Sequence, residues 1–408
     1  MKRAAWILGL LGLIVAAAAA VRVSHDPLFW KRYAFSLMHS QATLPDSFYE
    51  PSEIIAGVDG PEPPRVQPEL EHLDAGALHA AADYAGARHT SALMVGRHGH
   101  IVFEQYWDGG GSDAVSNTDA FNATVAALMV GIAMGDHKIG LVAEPVANYV
   151  EEFRGDERQT ITIADLLHGA SGLEPHAASN SPWSAALRER FSTDIMASCL
   201  SHTLESRPGE RWLPQICDAQ LLARVVERAT HERYASYISE RLWKPLGAAD
   251  AQLWRDSGQG NARADCCLRA RRGDWMRIAE LLVNDGRFEG EQVIPPGWVR
   301  QMLAPSKDNA NFGSQVWLGL PFTAGQPGSA SESYAADDTY LLKSAGKTRL
   351  WFVPSLGLSI LRTGTNSESD TDWDDARVPN LIIRGASDFV PKAATGAADD
   401  LSKLVPNH

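Results

Sequence analysis

The sequence predicts an α/β fold in which an antiparallel sheet is built from both ends of the chain and flanked by helices, with a mainly helical region inserted between the two sets of strands. Three observations carry that prediction. Strand patterns sit on either side of the chain's middle: residues 91–107 (SALMVGRHGHIVFEQYW) run apolar or alternate around a His98-Gly99-His100 turn, and residues 315–320, 340–342, 349–353 and 358–362 carry further strand patterns near the other end. Helical patterns fill the interval, as a short capped helix ending at Gly172 and as longer stretches over 218–245 and 274–285. Residues 121–135 (FNATVAALMVGIAMG) are apolar on nearly all faces, which puts a buried helix at the centre of the domain.

From its N-terminus, the chain opens with Lys2 and Arg3 ahead of an uncharged run over residues 4–21, closed by Arg22. A positive flank before an apolar core is the pattern of an export signal, and the run is just long enough to span a bilayer. Residues 1–22 therefore read as an inner-membrane anchor, with the bulk of the chain facing the periplasm or cell exterior. Secretion after cleavage within the Ala16–Ala20 stretch is the alternative. Residues 23–69 are rich in proline and aromatic residues without a steady period, and read as a stalk packing loosely on the domain beyond it. The domain proper spans 70–390: a helix over 73–85, the hairpin, the central helix, the helical insertion, the late strands and a closing helix over 378–385. The small, polar residues 391–408 read as a flexible tail.

Composition narrows function. Hydrophobic residues make up 45% and charged residues 21%, enough apolar mass for a sizeable core and too much for intrinsic disorder away from the ends. A formal net charge of −13, without a Lys/Arg-rich stripe, removes the main source of nucleic-acid affinity, so no nucleic-acid partner is expected. Cys199, Cys217, Cys266 and Cys267 would lie in an oxidising compartment and admit three pairings; buried small side chains or one bridge is the expectation. No C-x-x-C or His-bearing ligand spacing surrounds them, so neither a metal nor a cofactor is expected.

Seven segments carry a family resemblance: ALMVGRHGHIVFEQYW, ALMVGIAMGDHKIGLVAEPVANYVEEF, ITIADLLHGASGLEP, RPGERWLPQICDAQLLARVVE, RLWKPLGAADAQLW, DWMRIAELLVNDGRFEGEQVIPPGWVRQM and GKTRLWFVPSLGLSILRTG. In this order, over roughly residues 70–385, they resemble the serine β-lactamase-related group, which includes class C β-lactamases, penicillin-binding proteins and related esterases and amidases. The resemblance implies a β-lactamase/transpeptidase-like fold and acyl hydrolysis or transfer by an S-x-x-K pair at the start of the buried helix. A three-residue offset puts serine and lysine on one helical face, so the amine can take the hydroxyl proton while the helix N-terminus favours developing negative charge.

The same resemblance places the serine slot on Ala120 and the lysine slot on Ala123, and neither methyl group can attack or accept a proton. The family's Y-x-N or Y-x-S triplet after a Pro-Gly turn falls on Pro214-Gln215-Ile216, without the phenol. Its K/H-[ST]-G element falls within Leu342-Lys343-Ser344-Ala345-Gly346, in one of two registers. Asp119, Thr124, Gln215 and Gly346 are implied to line the cleft, Asp119 equally as a helix N-cap. Ser344-Ala345-Gly346-Lys347 is the one S-x-x-K in the chain, but it lies between strand patterns, where its side chains would not share a helical face. Ser171, beside His168, reads as structural, and His98 and His100 as solvated turn residues.

Three functions are expected from these residues. The first is a pseudoenzyme that keeps the cleft and binds a small acyl, β-lactam-like or cell-wall-derived ligand, since losing nucleophile, base and tyrosine together leaves only positioning and electrostatics. The second is an acyl hydrolase with displaced groups, for which Lys343, Ser344 and Lys347 are the candidates. The third is an interaction module tethered to the membrane through residues 4–21.

Overall fold

Two antiparallel sheets and a helical layer assemble around the central apolar helix. The structure is a computed structural model that describes residues 24–118, 120–319, 331–367 and 370–391. The expected anchor or signal over 1–22, Asp119, and all but the first residue of the expected tail lie outside the described residues. Among the described residues no helix is long and apolar enough to cross a membrane.

Helix α1 (Pro27–Met38) and strand β1 (Ser52–Ile55) precede α2 (Ala75–Gly86), β2 (Thr90–Arg97), β3 (His100–Tyr106) and the short β4 (Val115–Asn117). The central helix α3 (Phe121–Gly135) leads into α4 (Ile163–Leu167), α5 (Ala185–Arg190), α6 (Ile195–Leu200), α7 (Ile216–Thr230) and α8 (Tyr234–Ile238). Then come β5 (Ala251–Trp254), β6 (Leu268–Arg271), α9 (Arg272–Val283), the ribbon of β7 (Arg287–Phe288) and β8 (Glu291–Gln292), and α10 (Trp298–Met302). Strands β9 (Trp317–Leu318), β10 (Tyr340–Lys343), β11 (Arg349–Val353) and β12 (Leu358–Gly364) precede the closing α11 (Arg377–Arg384).

The main sheet runs β3-β2-β12-β11-β10-β9 with every neighbour antiparallel, so it is made from both ends of the chain, as the pattern predicts. Its first hairpin turns at His98 and Gly99, whose φ values of 49° and 85° are the two positive angles a type I′ turn needs. A smaller sheet of order β1-β5-β6-β4 stands apart from it. Helix α3 is buried from Phe121 to Ala133 except at half-buried Ala123, and it packs against α7. Gly131 is required there: a Cβ would fall 2.2 Å from the Trp298 indole, whose Nε1 donates to the Ala127 carbonyl at 3.1 Å. The expected cap on α4 is a reciprocal box, Asp165 N donating to Thr162 Oγ1 at 3.1 Å and Thr162 N to Asp165 Oδ2 at 2.8 Å.

Four expectations are corrected. Residues 24–69, expected to pack loosely, are bound into the domain: β1 pairs with β5 from Ser52↔Trp254 to Ile55↔Ala251, and Phe29, Phe48 and Tyr49 share a core cluster with Phe191 and Trp254. The segment shows no steady period because it is divided among α1, short 3₁₀ turns and β1, each with its own repeat. The helix over 218–245 breaks where His231 turns left-handed at φ 62°, ending α7. His98 and His100 are not simply solvated, since their Nδ1 atoms lie 2.8 and 2.6 Å from the two Glu71 carboxylate oxygens. All four cysteines are paired, Cys199 with Cys217 and Cys266 with Cys267, where at most one bridge is expected. Non-local packing, which spacing does not encode, brings Cys199 on α6 to Cys217 on α7.

Candidate functional site

The start of α3 is fixed by buried polar contacts. Thr118 Oγ1 donates to the Leu268 carbonyl at 2.9 Å, and the Asn122 amide donates to the Arg263 and Cys266 carbonyls at 2.7 and 3.1 Å. Between these two pins, Ala120 is left exposed and opens onto a cavity of about 580 Å³. Ile216, the last position of the family triplet, lines the same cavity. Two positions that the resemblance implies for the site therefore converge on one space, bearing a methyl group and a sec-butyl group.

The other predicted residues are dispersed around this space. Ala123 is one turn along α3 and half-buried. Thr124 is buried and spends its hydroxyl on the Gln315 carbonyl at 2.6 Å. Pro214 packs on the turn after α4, where Gly169 at φ 64° leaves 2.9 Å between a would-be Cβ and Pro214 Cβ. Gln215 caps α7: its amide N donates to Asp218 Oδ2 at 3.0 Å and its side chain to the Leu173 carbonyl. Lys343 ends β10 with its ammonium 4.8 Å from the centre of the Trp317 ring. Ser344, Gly346 and Lys347 form the corner from β10 into β11, and all three are buried. Arg362 Nη1 donates to the Gly346 and Lys347 carbonyls at 2.7 and 2.9 Å, and Arg349 Nη1 to the Ser344 carbonyl at 2.9 Å. None of Lys343, Ser344, Gly346 and Lys347 lines the cavity at Ala120. Ser171 is fully buried, and burial lowers the pKa of the nearby His168, which favours its neutral form.

The remaining cavity walls come from segments that no motif marks. In front, residues 36–49 cross it as a strap, with Ser40, Gln41, Phe48 and Tyr49 among its lining. The strap also reaches the β10–β11 corner, where Ala42 Cβ lies 2.8 Å from the position a Gly346 Cβ would take. At the side, Arg263 is buried in a two-bond pair with Asp265 (2.7 and 2.9 Å). Burial opposes its charge, and Asp265 more than offsets this, holding the pKa above its usual value. Arg190 donates to the neutral Gln41 carboxamide and forms no ion pair among the described residues, which leaves a guanidinium at the cavity wall. The Cys266–Cys267 disulfide completes that side. Asn122, lying between the two alanine slots, is the one wall-setting residue its sequence position could have flagged.

Comparison with known proteins bears on this geometry. The family model described as Beta-lactamase matches residues 76–360. The curated 6-aminohexanoate-dimer hydrolase of Paenarthrobacter ureafaciens is 28% identical over 234 residues, covering 53% of this chain and 57% of that protein, so the chain spans little more than half of that relative's length. A solved structure from Bacillus anthracis, provisionally described as a 6-aminohexanoate-dimer hydrolase, superposes with a TM-score of 0.66 at 14% identity, covering 88% of this chain and 93% of that one. Another from Bacteroides dorei, provisionally described as a beta-lactamase, gives 0.62 at 16% identity, covering 77% and 99%. At such identities the structural likeness concerns the fold.

Proposed function

The chain belongs to the Beta-lactamase family, and from that premise we propose that it is a ligand-binding pseudoenzyme of the export side, holding a small acyl or amide compound without forming a covalent bond to it. The observation that carries this reading is the convergence of Ala120 and Ile216 on one cavity. Acyl transfer by the family route needs a lone pair to attack and a base to accept its proton, and neither Ala120 nor Ala123 supplies one. What the site keeps is volume and polarity. About 580 Å³ suits a drug-sized ligand, the aromatic rings of Phe48, Phe191 and Trp254 suit an apolar body, and Arg190 suits a carboxylate on it. Two disulfides favour an oxidising compartment, in keeping with export behind an anchor or signal at residues 1–22.

The test is intact-mass analysis of the protein after incubation with a fluorescent penicillin and with a fluorophosphonate, alongside nitrophenyl-ester turnover and thermal-shift titration with N-acyl amino acids. We expect unchanged mass, no turnover, and a saturable rise in Tm that Arg190→Ala abolishes. A stoichiometric adduct would overturn the reading. One observation favours a second reading, an acyl hydrolase with displaced groups: the buried Ser344 hydroxyl has no hydrogen-bond partner among the described residues and lies in the corner that carries Lys343 and Lys347. An adduct mapped to Ser344 would select it.

A further inference from the structure

Helix α5 forms part of the cavity wall through Leu187 and Arg190, and Glu189, one of the two residues between them, lies outside that wall in a buried polar cluster. There Glu189 meets His202, from the segment after α6, and His176, from the loop that precedes α5. The side-chain exposures of Glu189, His202 and His176 are 8%, 0% and 27%. One ligand atom from each of the three lies within 4.8 Å of the other two. We infer that His176, Glu189 and His202 form a binding site for one divalent cation of the Zn²⁺ class.

The tautomer of His202 supplies the first argument. Its Nδ1 lies 2.7 Å from the Glu174 carbonyl, an acceptor only, so Nδ1 carries the proton and the neutral ring presents a lone pair at Nε2. That Nε2 points straight at Glu189 Oε2. Two lone pairs so placed repel unless a proton holds them together or a metal ion spreads them and binds both. A proton would account for His202 and Glu189 but would leave His176 unexplained. The His176 Nε2 is 3.7 Å from the same carboxylate oxygen, too far for a hydrogen bond, and its ring packs on that of His202 with centroids 4.3 Å apart. One cation between the three ligand atoms accounts for all of them.

The ligand chemistry then selects the ion. Two imidazole nitrogens and one carboxylate suit Zn²⁺, with bonds of about 2.0–2.2 Å, better than Ca²⁺ or Mg²⁺, which favour all-oxygen shells. Neighbouring ligand atoms around such an ion stand roughly 3.3 Å apart, as those bond lengths require in a tetrahedron. Reaching that spacing would spread the His202–Glu189 contact and draw in an outermost ligand atom now up to 4.8 Å away, movements of about 1–1.5 Å. Cys217 Sγ is 3.7 Å from Glu189 Oε2, but its disulfide with Cys199 removes it as a thiolate ligand, leaving the fourth position to water or to the Ser198 hydroxyl, 3.4 Å from the same oxygen. The consequence is mechanical. The ion would tie the loop carrying His176 and Asn180 to α5, and so fix two walls of the cavity, those bearing Asn180 and Arg190. The site escapes sequence analysis because its three ligands come from three separate segments, at spacings that match no local metal motif.

The test uses untagged, chelator-stripped full-length protein, titrated with ZnCl₂ by calorimetry and with Co²⁺ by visible absorption. We expect one ion per chain, a Co²⁺ ligand-field band of tetrahedral intensity, and a Tm raised by several degrees with Zn²⁺. His176→Asn, in a partly exposed loop, should weaken binding at least tenfold with an unchanged circular dichroism spectrum, and Glu189→Gln should abolish it. Absence of saturable one-to-one binding would overturn the site, as would affinity unchanged in both variants. These readouts do not depend on the ligand proposed for the cavity.

Discussion

Asp218 is wholly buried in the first turn of α7, where its carboxylate accepts from the Gln215 amide. Burial pushes its pKa up to about 7 from an ordinary 3.8, against the opposing pull of Ser171 and of that amide. The raised value fixes the sign of the linkage. Stability is fully present below about pH 4, where both folded and unfolded chains carry the proton. It declines as pH rises toward 7, because the unfolded chain ionises freely while the folded chain resists. The full effect is on the order of 4 kcal/mol, from about three pKa units at 1.36 kcal/mol each. Asp218→Asn keeps an oxygen for the Gln215 amide and removes the titration. Urea unfolding at pH 4, 6 and 8 should therefore show a fall in wild-type stability that is flattened in the variant, leaving the variant the more stable at pH 8. Parallel pH profiles would show that Asp218 does not titrate in that window.

Helix α1 and the strap after it form the element whose placement the sequence least reveals. Asp26 caps α1 at the Phe29 amide, and Arg32 on that helix is fully buried. The Arg32 guanidinium lies 4.5 Å from the centre of the Trp254 ring and donates to the carbonyls of Phe191, Ser192, Arg255 and Asp256 at 2.8–3.4 Å. Those carbonyls open the connections after α5 and β5, so one side chain ties α1, and the strap that follows it, to two walls of the cavity. In the sequence, a lone arginine among aromatic residues reads as surface charge, because its partners are backbone oxygens distant along the chain. Removing the guanidinium leaves buried carbonyls unpaired, at a cost of about 1–3 kcal/mol for each one not reached by water. Arg32→Met should therefore detach the element before the domain unfolds. Hydrogen exchange is expected to rise at least tenfold across residues 27–49 and to stay unchanged in β11 and β12. A uniform rise throughout the protein would show instead that strap and domain unfold as one unit.

Across the molecule, sequence pattern reveals what local chemistry dictates. The sheet is legible because its strands alternate or run apolar with a period of two, and α3 because an apolar surface on every face has no stable place but the core. The cavity is legible only at Ala120 and Ile216, since its other walls, Arg190, Arg263 and the strap, meet through long-range packing. That difference sets the outcome of rebuilding the family pair. Ala120 is exposed to the cavity, so a hydroxyl there would be reachable, and Ala123 stands three residues on, close enough along the helix for an amine to take its proton. Pro214 supplies no phenol for the leaving group, and the strap still lines the cavity. Ala120→Ser with Ala123→Lys should therefore acquire covalent labelling by a fluorophosphonate, at the peptide containing position 120, while nitrophenyl-ester turnover stays within about tenfold of background, because acid–base transfer typically contributes 10²–10⁴-fold. Adding Arg32→Met should speed labelling without restoring turnover, since opening the strap changes access and leaves proton transfer as it was. Labelling that stays absent in all of these variants would place the obstacle in the backbone at the start of α3, not in the side chains at positions 120 and 123.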